Sequence, residues 1–286
     1  MAVDSVVGII GWPVSHSLSP IMHTRAFLET GLSNWVYVPM PVKQDPGDRL
    51  KEAVLGLRAL GFKGANVTVP YKEAVIPFLD GLSDTAKAIG AVNTIAVEAD
   101  GRLIGHNTDG LGFVRDLKDH GINSQACRAM VLGAGGSARA IVYALLSHGC
   151  KHIVILNRTK IKALKLASSF QSSFPGAIIE ADDLTRDAIM RAMPRDLIIN
   201  ATSLGLKESE AEMPWFDNIA FRPDQVAYDI IYNPKITAFL RFAAAGKAKI
   251  INGLGMLVHQ GALSFTIWTG QTPPIAAMKE AASSAL

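Results

Sequence analysis

Ala129-Met130-Val131-Leu132 runs without a break into Gly133-Ala134-Gly135-Gly136-Ser137-Ala138-Arg139, and apolar residues then recur at Ala138, Ile141, Val142, Leu145 and Leu146. The order is strand, glycine turn, helix, and few folds accommodate it. In the dinucleotide-binding reading each small residue has a task. Gly133 makes the tight turn, Gly135 lets the backbone approach a pyrophosphate, and Ala138 permits close packing of helix on strand. The backbone N–H groups at the helix start, with Gly136 and Ser137 in its first turn, then face the phosphates. A glycine string alone is a weak signal. The apolar strand before it and the periodic helix after it are what separate this one from a plain turn.

A second strand, Ile153-Val154-Ile155-Leu156, ends in Asn157-Arg158-Thr159. This point lies about 20 residues past the glycines, where a site for NAD carries an acid for the ribose 2′-hydroxyl. No carboxylate stands here. Arg158 and Lys162 are instead suited to a 2′-phosphate. Cations at a helix start oppose the helix dipole unless an anion is close by, so the pattern favours NADP over NAD.

The same alternation of short Val- and Ile-rich runs with helical periodicity extends through most of the 286 residues, which predicts an α/β fold with parallel strands and crossover helices. Strands are expected near Val6–Ile10, Trp35–Val38, Gly64–Val69 and Val92–Val97, and a helix over Asp48–Leu60. Asp100-Gly101 predicts a tight hairpin between two short strands. A second series follows at Ala129–Leu132, His152–Leu156, Ile178–Ile179, Leu197–Asn200, Val226–Ile231 and Lys249–Ile251. Helices are expected over Gly255–Trp268 and Ile275–Ser284, and an exposed acidic loop over Leu206–Asp217. With 49% hydrophobic residues the chain can bury two moderate cores.

The charge balance excludes some partners. A net charge of +3 without a basic stripe makes nucleic acid an unexpected one. Cys127 and Cys150 form no CxxC, and no histidine spacing completes a zinc site, so no metal is expected. The opening apolar run is cut by Gly11 and Pro13, and no stretch reaches the roughly 18 residues of a membrane span. A soluble protein of the reducing cytosol is the expectation, as a monomer or a homodimer.

Three polar clusters sit at the ends of expected strands. Ser17 and Ser19 precede a helix beginning near Pro20, where Ser19 could equally serve as a cap. Alternation puts Asn66 and Thr68 on one face of a strand with Lys72 just past its end, although a lone lysine is more often solvated. Asp109 opens the helix carrying Leu111, Val114 and Leu117, again as site residue or cap. His106 receives no role.

Taken together the strings have a family likeness. Gly11 through Pro20, Asn66-Val67-Thr68-Val69-Pro70-Tyr71-Lys72, Gly90-Ala91-Val92-Asn93-Thr94 and Asn107-Thr108-Asp109-Gly110 resemble, in order and spacing, the shikimate dehydrogenase family. So do the Gly133–Arg139 turn, Asn157-Arg158-Thr159, Asn200-Ala201-Thr202-Ser203, Asp229 through Pro234, and Asn252 through Leu257 with Gln260. The likeness implies reversible, NADPH-dependent reduction of 3-dehydroshikimate to shikimate, a step toward chorismate and the aromatic amino acids. By it, Lys72 and Asp109 would form the catalytic pair. Ser17, Ser19 and Tyr232 would hold the substrate carboxylate, and Asn66, Thr68, Asn93 and Gln260 the ring hydroxyls. Gly133, Ala134, Gly135, Gly136, Ser137, Ala138, Asn157, Arg158, Thr159 and Lys162 would hold the cofactor. Ile230, Gly253 and Met256 would line its nicotinamide end, and Asp84 is a further cofactor contact by likeness. Two departures stand out, His23-Thr24 in place of His-Asn and a Lys207–Met213 loop without the usual glycine and proline pattern.

The resulting expectation has two domains. Residues 1–108 plus 254–286 form an α/β substrate domain completed by C-terminal helices, and 109–253 form a Rossmann-type NADP-binding domain. Asp109 opens the first crossing and Gly253–Gln260 mark the second, with the active site in the interdomain cleft, whose closure would exclude water. Charge growing on a ketone oxygen during hydride addition calls for a cation and a proton donor. Lys72 either carries that proton or clamps the charge while Asp109 handles it. Two other readings remain: a quinate/shikimate dehydrogenase with relaxed NAD or NADP use, and a catalytically silent ligand-binding regulatory module.

Overall fold

The computed structural model describes residues 3–44, 48–206 and 211–286. Residues 207–210, in the middle of the expected acidic loop and its atypical pattern, lie outside them. The chain divides into two compact units. One comprises Met1–Gly112 with Leu257–Ala285, the other Phe113–Met256 with Leu286.

The first unit is built on β1 (Ser5–Gly11), α1 (Ser19–Glu29), β2 (Trp35–Pro41), α2 (Arg49–Ala59), β3 (Gly64–Val67), β4 (Gly81–Leu82), α3 (Asp84–Ile89), β5 (Thr94–Val97) and β6 (Leu103–His106). Its sheet runs β2-β1-β3-β5-β6-β4. β1 pairs parallel with β2 and β3, but β5 is antiparallel to both β3 and β6. The hairpin expected at Asp100-Gly101 joins β5 to β6, with Gly101 at φ +82°, while the antiparallel pairing of β5 with β3 departs from the expected run of parallel strands. A connection of a few residues can join only antiparallel neighbours. Ile10, Val54, Leu57, Ala65, Val67, Ile95 and Leu103 form the core on one face. The other face meets α9 (Leu254–Thr269), whose Trp268 Nε1 donates to the Ile95 carbonyl at 2.9 Å. α10 (Ile275–Ser284) packs on α1.

The second unit follows α4 (Asp109–Asp119). It contains β7 (Arg128–Leu132), α5 (Gly136–Ser147), β8 (His152–Asn157), α6 (Lys160–Gln171), β9 (Ile178–Asp183), α7 (Arg186–Ala192), β10 (Leu197–Asn200), β11 (Val226–Asp229), α8 (Ala238–Ala245) and β12 (Lys249–Ile251). All neighbours in its sheet, β12-β11-β10-β7-β8-β9, are parallel. Both faces of β7 and β10 are covered, which is why they read as unbroken apolar runs. The chain winds outward from β7 to β9 and then returns to β10 on the other side of β7. That reversal is the switch point at which open parallel sheets bind ligands, beyond the carboxyl ends of their strands. Both crossings of the chain between units fall inside helices, α4 and α9. Among the described residues no helix is long and apolar enough to cross a membrane.

Candidate active site

Lys72 follows β3 in a turn whose backbone is pinned by Val92, which donates to the Lys72 carbonyl at 2.7 Å. Its side chain reaches the first residue of α4, and Lys72 Nζ lies 2.6 Å from Asp109 Oδ2. The two side chains are 12% and 5% exposed, so little water screens the pair. Asp109 is held from behind as well. Asn107 Oδ1 accepts from the Asp109 amide at 3.1 Å, and Asn93 Nδ2 donates to Asp109 Oδ1 at 2.9 Å. Asn93 Nδ2 also lies 2.8 Å from Thr108 Oγ1 and 3.1 Å from Gln260 Oε1. Lys72 from the turn after β3, Asn93 just before β5, Asp109 at the start of α4 and Gln260 of α9 meet in one cluster.

The other polar candidates of this unit are found in varied states. Ser17 is half-buried and its Oγ accepts the Ser19 amide at 3.2 Å. Ser19 is buried and is the first residue of α1, with Leu18 in the cap position, so the expected helix start near Pro20 moves back and Ser19 is not the cap. β3 ends at Val67, two residues earlier than expected, and Thr68 stands half-buried just beyond it. Asn66 is buried and fully engaged by the protein. Tyr37 donates to its Oδ1 at 2.8 Å, and its Nδ2 faces the Asn93 carbonyl, Thr94 Oγ1 and Ser264 Oγ within 3.2 Å. His23 stacks on Tyr37 with ring centroids 4.6 Å apart, and complete burial drives its pKa down to about 3, so the ring is neutral. Asp84 is exposed in the first turn of α3, after the capping Ser83.

In the second unit the glycine turn closes β7. Gly133 sits at φ +115°, and a Cβ there would meet the Ala201 carbonyl oxygen at 2.9 Å, so the fold itself requires glycine. Gly135 differs. It has an extended backbone, φ −91° and ψ −174°, that any residue adopts, and a Cβ would meet nothing within 4 Å. No side chain caps α5, which begins at Gly136 and Ser137 and buries Ala138 against the sheet. The start of α5 and the open cradle at Gly135 fit a pyrophosphate. Ala134 is half-buried in the same turn.

Arg158, Thr159 and Lys162 are exposed where β8 passes into α6, and Asn157 Nδ2 donates to the Thr159 carbonyl at 3.0 Å. Lys160 pairs with Asp182 at 2.6 Å, but Arg158 and Lys162 pair with no acid among the described residues. Two cations without acids suit a phosphate monoester. At the ends of β10 and β11, the half-buried Ile230 donates its amide to the Asn200 carbonyl and Gly253 donates to the Ile231 carbonyl, both at 3.1 Å. Tyr232 is half-buried, and Met256 is buried in the unit's own core.

Residues 9–95 match the shikimate dehydrogenase substrate binding domain, 117–207 match shikimate / quinate 5-dehydrogenase, and 253–282 match the shikimate 5'-dehydrogenase C-terminal domain. The chain belongs to the shikimate dehydrogenase family. It is 47% identical over 285 residues to the shikimate dehydrogenase (NADP(+)) of Moorella thermoacetica, covering 97% of this chain and 92% of that protein. Among solved structures it is similar to the shikimate 5-dehydrogenase of Thermus thermophilus in complex with NADP(H) and shikimate. There the TM-score is 0.84 at 38% identity, over 99% of this chain and 100% of that one. It is also similar to the quinate dehydrogenase of Corynebacterium glutamicum in complex with NAD, with a TM-score of 0.87 at 30% identity, over 98% of this chain and 99% of that one.

This member of the shikimate dehydrogenase family also has polar residues around its clusters that sequence reasoning passed over. Tyr37, Thr94 and Ser264 bracket Asn66 and Asn93. Ser264 follows Gln260 by one helical turn of α9, which puts both on one face. In the second unit Asp229 is fully buried and accepts from Asn200 Nδ2 at 3.0 Å, the Ile231 amide at 3.0 Å and Thr237 Oγ1 at 2.7 Å. Burial pushes its pKa up to about 6 against the pull of those three donors. A carboxylate and an amide ending two all-apolar strands, Asp229 and Asn200, were the sequence trace of this network.

Proposed function

We propose that this protein catalyses the reversible, NADPH-dependent reduction of 3-dehydroshikimate to shikimate. The observation that carries the proposal is the shielded Lys72–Asp109 ion pair, held by Asn93 beside Gln260. In this reading residues 1–108 with 254–286 bind substrate, and 109–253 bind the cofactor. When bound, NADPH supplies the hydride. The Lys72 ammonium faces the oxygen on which negative charge grows, stabilises it and is placed to give it a proton, while Asp109 keeps the ammonium oriented. Gln260, whose Oε1 faces Asn93 and whose Nε2 gives one hydrogen to the Leu257 carbonyl, keeps a second hydrogen for a ring hydroxyl, and Thr68 offers its own hydroxyl. Asn93 and Asn66 act mainly by holding their neighbours, since their amides are engaged within the protein. Ser17, Ser19 and Tyr232 offer neutral hydroxyls to the substrate carboxylate.

Arg158 and Lys162 take the 2′-phosphate, Asn157 and Thr159 shape that loop, and the Gly133–Ala138 turn takes the pyrophosphate. Ile230, Gly253 and Met256 line the nicotinamide end, and Asp84 is retained as a cofactor contact on family likeness alone. Two unpaired cysteines support a reducing, cytosolic setting. The test is a steady-state assay of the purified chain with shikimate or quinate, each with NADP+ or NAD+, followed by NADPH or NADH absorbance. Shikimate with NADP+ is expected to give the highest kcat/KM. Preference for quinate with NAD+ would move the assignment to a quinate dehydrogenase, and no turnover with any pair would overturn the enzymatic reading.

A further inference from the structure

Thr94 is wholly buried, and its hydroxyl oxygen stands where β3, β5 and α9 meet. It lies 3.1 Å from Asn93 Oδ1, 2.7 Å from Ser264 Oγ and 3.2 Å from Asn66 Nδ2. Counting hydrogens orders this cluster. Tyr37 donates to Asn66 Oδ1, so the Asn66 amide nitrogen must point toward Ser264 and Thr94 as a donor. The Thr108 amide donates to Asn93 Oδ1 at 2.8 Å, so Asn93 Nδ2 must point toward Asp109, the Thr108 hydroxyl and Gln260. Asn93 Oδ1 accepts a second hydrogen, and among the described residues Thr94 is the group in reach that can give it. A hydroxyl has one hydrogen. Thr94 can spend it on Asn93 only when Ser264 donates to Thr94. Ser264 is able to, because the Gln260 carbonyl 3.1 Å from it is also served by α-helical pairing inside α9.

The result is a buried chain of donors running from Tyr37 through Asn66, Ser264, Thr94 and Asn93 to Asp109 Oδ1. Each member turns the positive end of its dipole toward the carboxylate, and bonds in such a chain polarise one another. We infer that Thr94 is a positioning residue for the Lys72–Asp109 pair, its hydroxyl acting with the Thr108 amide to lock the Asn93 amide so that Asp109 Oδ1 is held and Oδ2 is left to Lys72. A flipped Asn93 would turn its oxygen toward the Asp109 carboxylate, an arrangement the chain forbids. This inference rests on the proposed dehydrogenase reading for its kinetic consequence, though not for the geometry.

Thr94→Val keeps the shape and removes the hydroxyl, whereas Thr94→Ser keeps the hydroxyl and removes a methyl from a fully packed site. A structural role predicts that both variants lose stability and that kcat follows the folded fraction. The positioning role predicts a split. Measured with shikimate and NADP+ where both variants are folded by circular dichroism, Thr94→Val should lose about ten- to a hundredfold in kcat, the scale of a displaced catalytic group. It should also shift the kcat–pH profile, and Thr94→Ser should keep the wild-type kcat and profile. In parallel, the Asn93 side-chain amide should exchange slowly with solvent in wild type and Thr94→Ser and rapidly in Thr94→Val. That NMR readout needs no turnover, so an inactive wild type would overturn the assigned reaction while the amide exchange still judges the positioning. Wild-type kcat, profile and exchange in Thr94→Val would overturn the inference, as would equal losses in both variants. Should Thr94→Val fail to fold, Thr94→Ala removes the same hydroxyl with less bulk and must show the same profile shift and exchange. Wild-type behaviour in that variant overturns the inference.

Discussion

At the scale of single residues, Lys72 and Asp109 form an ion pair whose value lies in its shielding. Lys72→Met keeps most of the aliphatic stem and removes the charge. It should lower kcat for shikimate oxidation by at least about a hundredfold, the lower range for a general acid–base group. NADPH affinity, measured by fluorescence titration, should hardly change, because the cofactor candidates lie in the other unit apart from Asp84. Retained turnover would remove Lys72 from the reaction. Lys72, Asn93, Asp109 and Gln260 were legible because their motif strings are distinctive, but their partners were not. Asn66 reads as a ligand for substrate in the sequence, yet Tyr37, Thr94 and Ser264 occupy its polar atoms in the fold. Thr94 itself reads as an ordinary strand former, since threonine is favoured on a pleated surface whatever its hydroxyl does.

Elements carry the cofactor argument. Gly135→Ala places a methyl group where the protein has nothing within 4 Å, at a backbone conformation alanine adopts, so thermal stability should stay within about 0.5 kcal/mol of wild type. NADPH binding should nonetheless weaken by at least about tenfold, because the methyl fills the approach of the pyrophosphate to the turn. Unchanged affinity, read by calorimetric titration, would mean that the open cradle is not the phosphate site. At the β8–α6 junction, Arg158→Ala with Lys162→Ala should raise KM for NADP+ far more than for NAD+. Loss of two phosphate contacts predicts on the order of a hundredfold or more for NADP+ alone. Equal losses would argue against a 2′-phosphate clamp. The existence and order of strands and helices were legible from periodicity, including the hairpin at Asp100-Gly101. The two-residue β4 was not, being too short to carry a period, and β9 runs to Asp183 through Glu180, Asp182 and Asp183, whose charges hide it. Asp182 is answered by Lys160 and Arg191, and Glu180 by Arg195, from elsewhere in the chain.

For the molecule as a whole, one buried group outside the Lys72–Asp109 pair should leave a pH signature on stability. The Asp229 pKa is raised on folding from 3.8 to about 6. Its contribution is therefore largest below about pH 4 and is lost as pH climbs through 6. The difference amounts to roughly 3 kcal/mol as an upper figure. Asp229→Asn keeps the shape and can still accept from Asn200 and Ile231 and donate to Thr237. Relative to wild type it should gain stability between pH 4 and 8, read from hydrogen exchange of the β10 and β11 amides. A difference independent of pH would show that Asp229 does not titrate there. By itself, the sequence determined the α/β class, the strand–glycine–helix turn and the residue types for a reaction, because periodicity and motif spacing are local and survive in one dimension. The tertiary structure alone decided that β5 lies antiparallel beside β3, that Asn66 looks inward, and that a file of buried hydroxyls and amides ends on Asp109. Those facts depend on which distant segments share a dry interior, where each donor must find an acceptor.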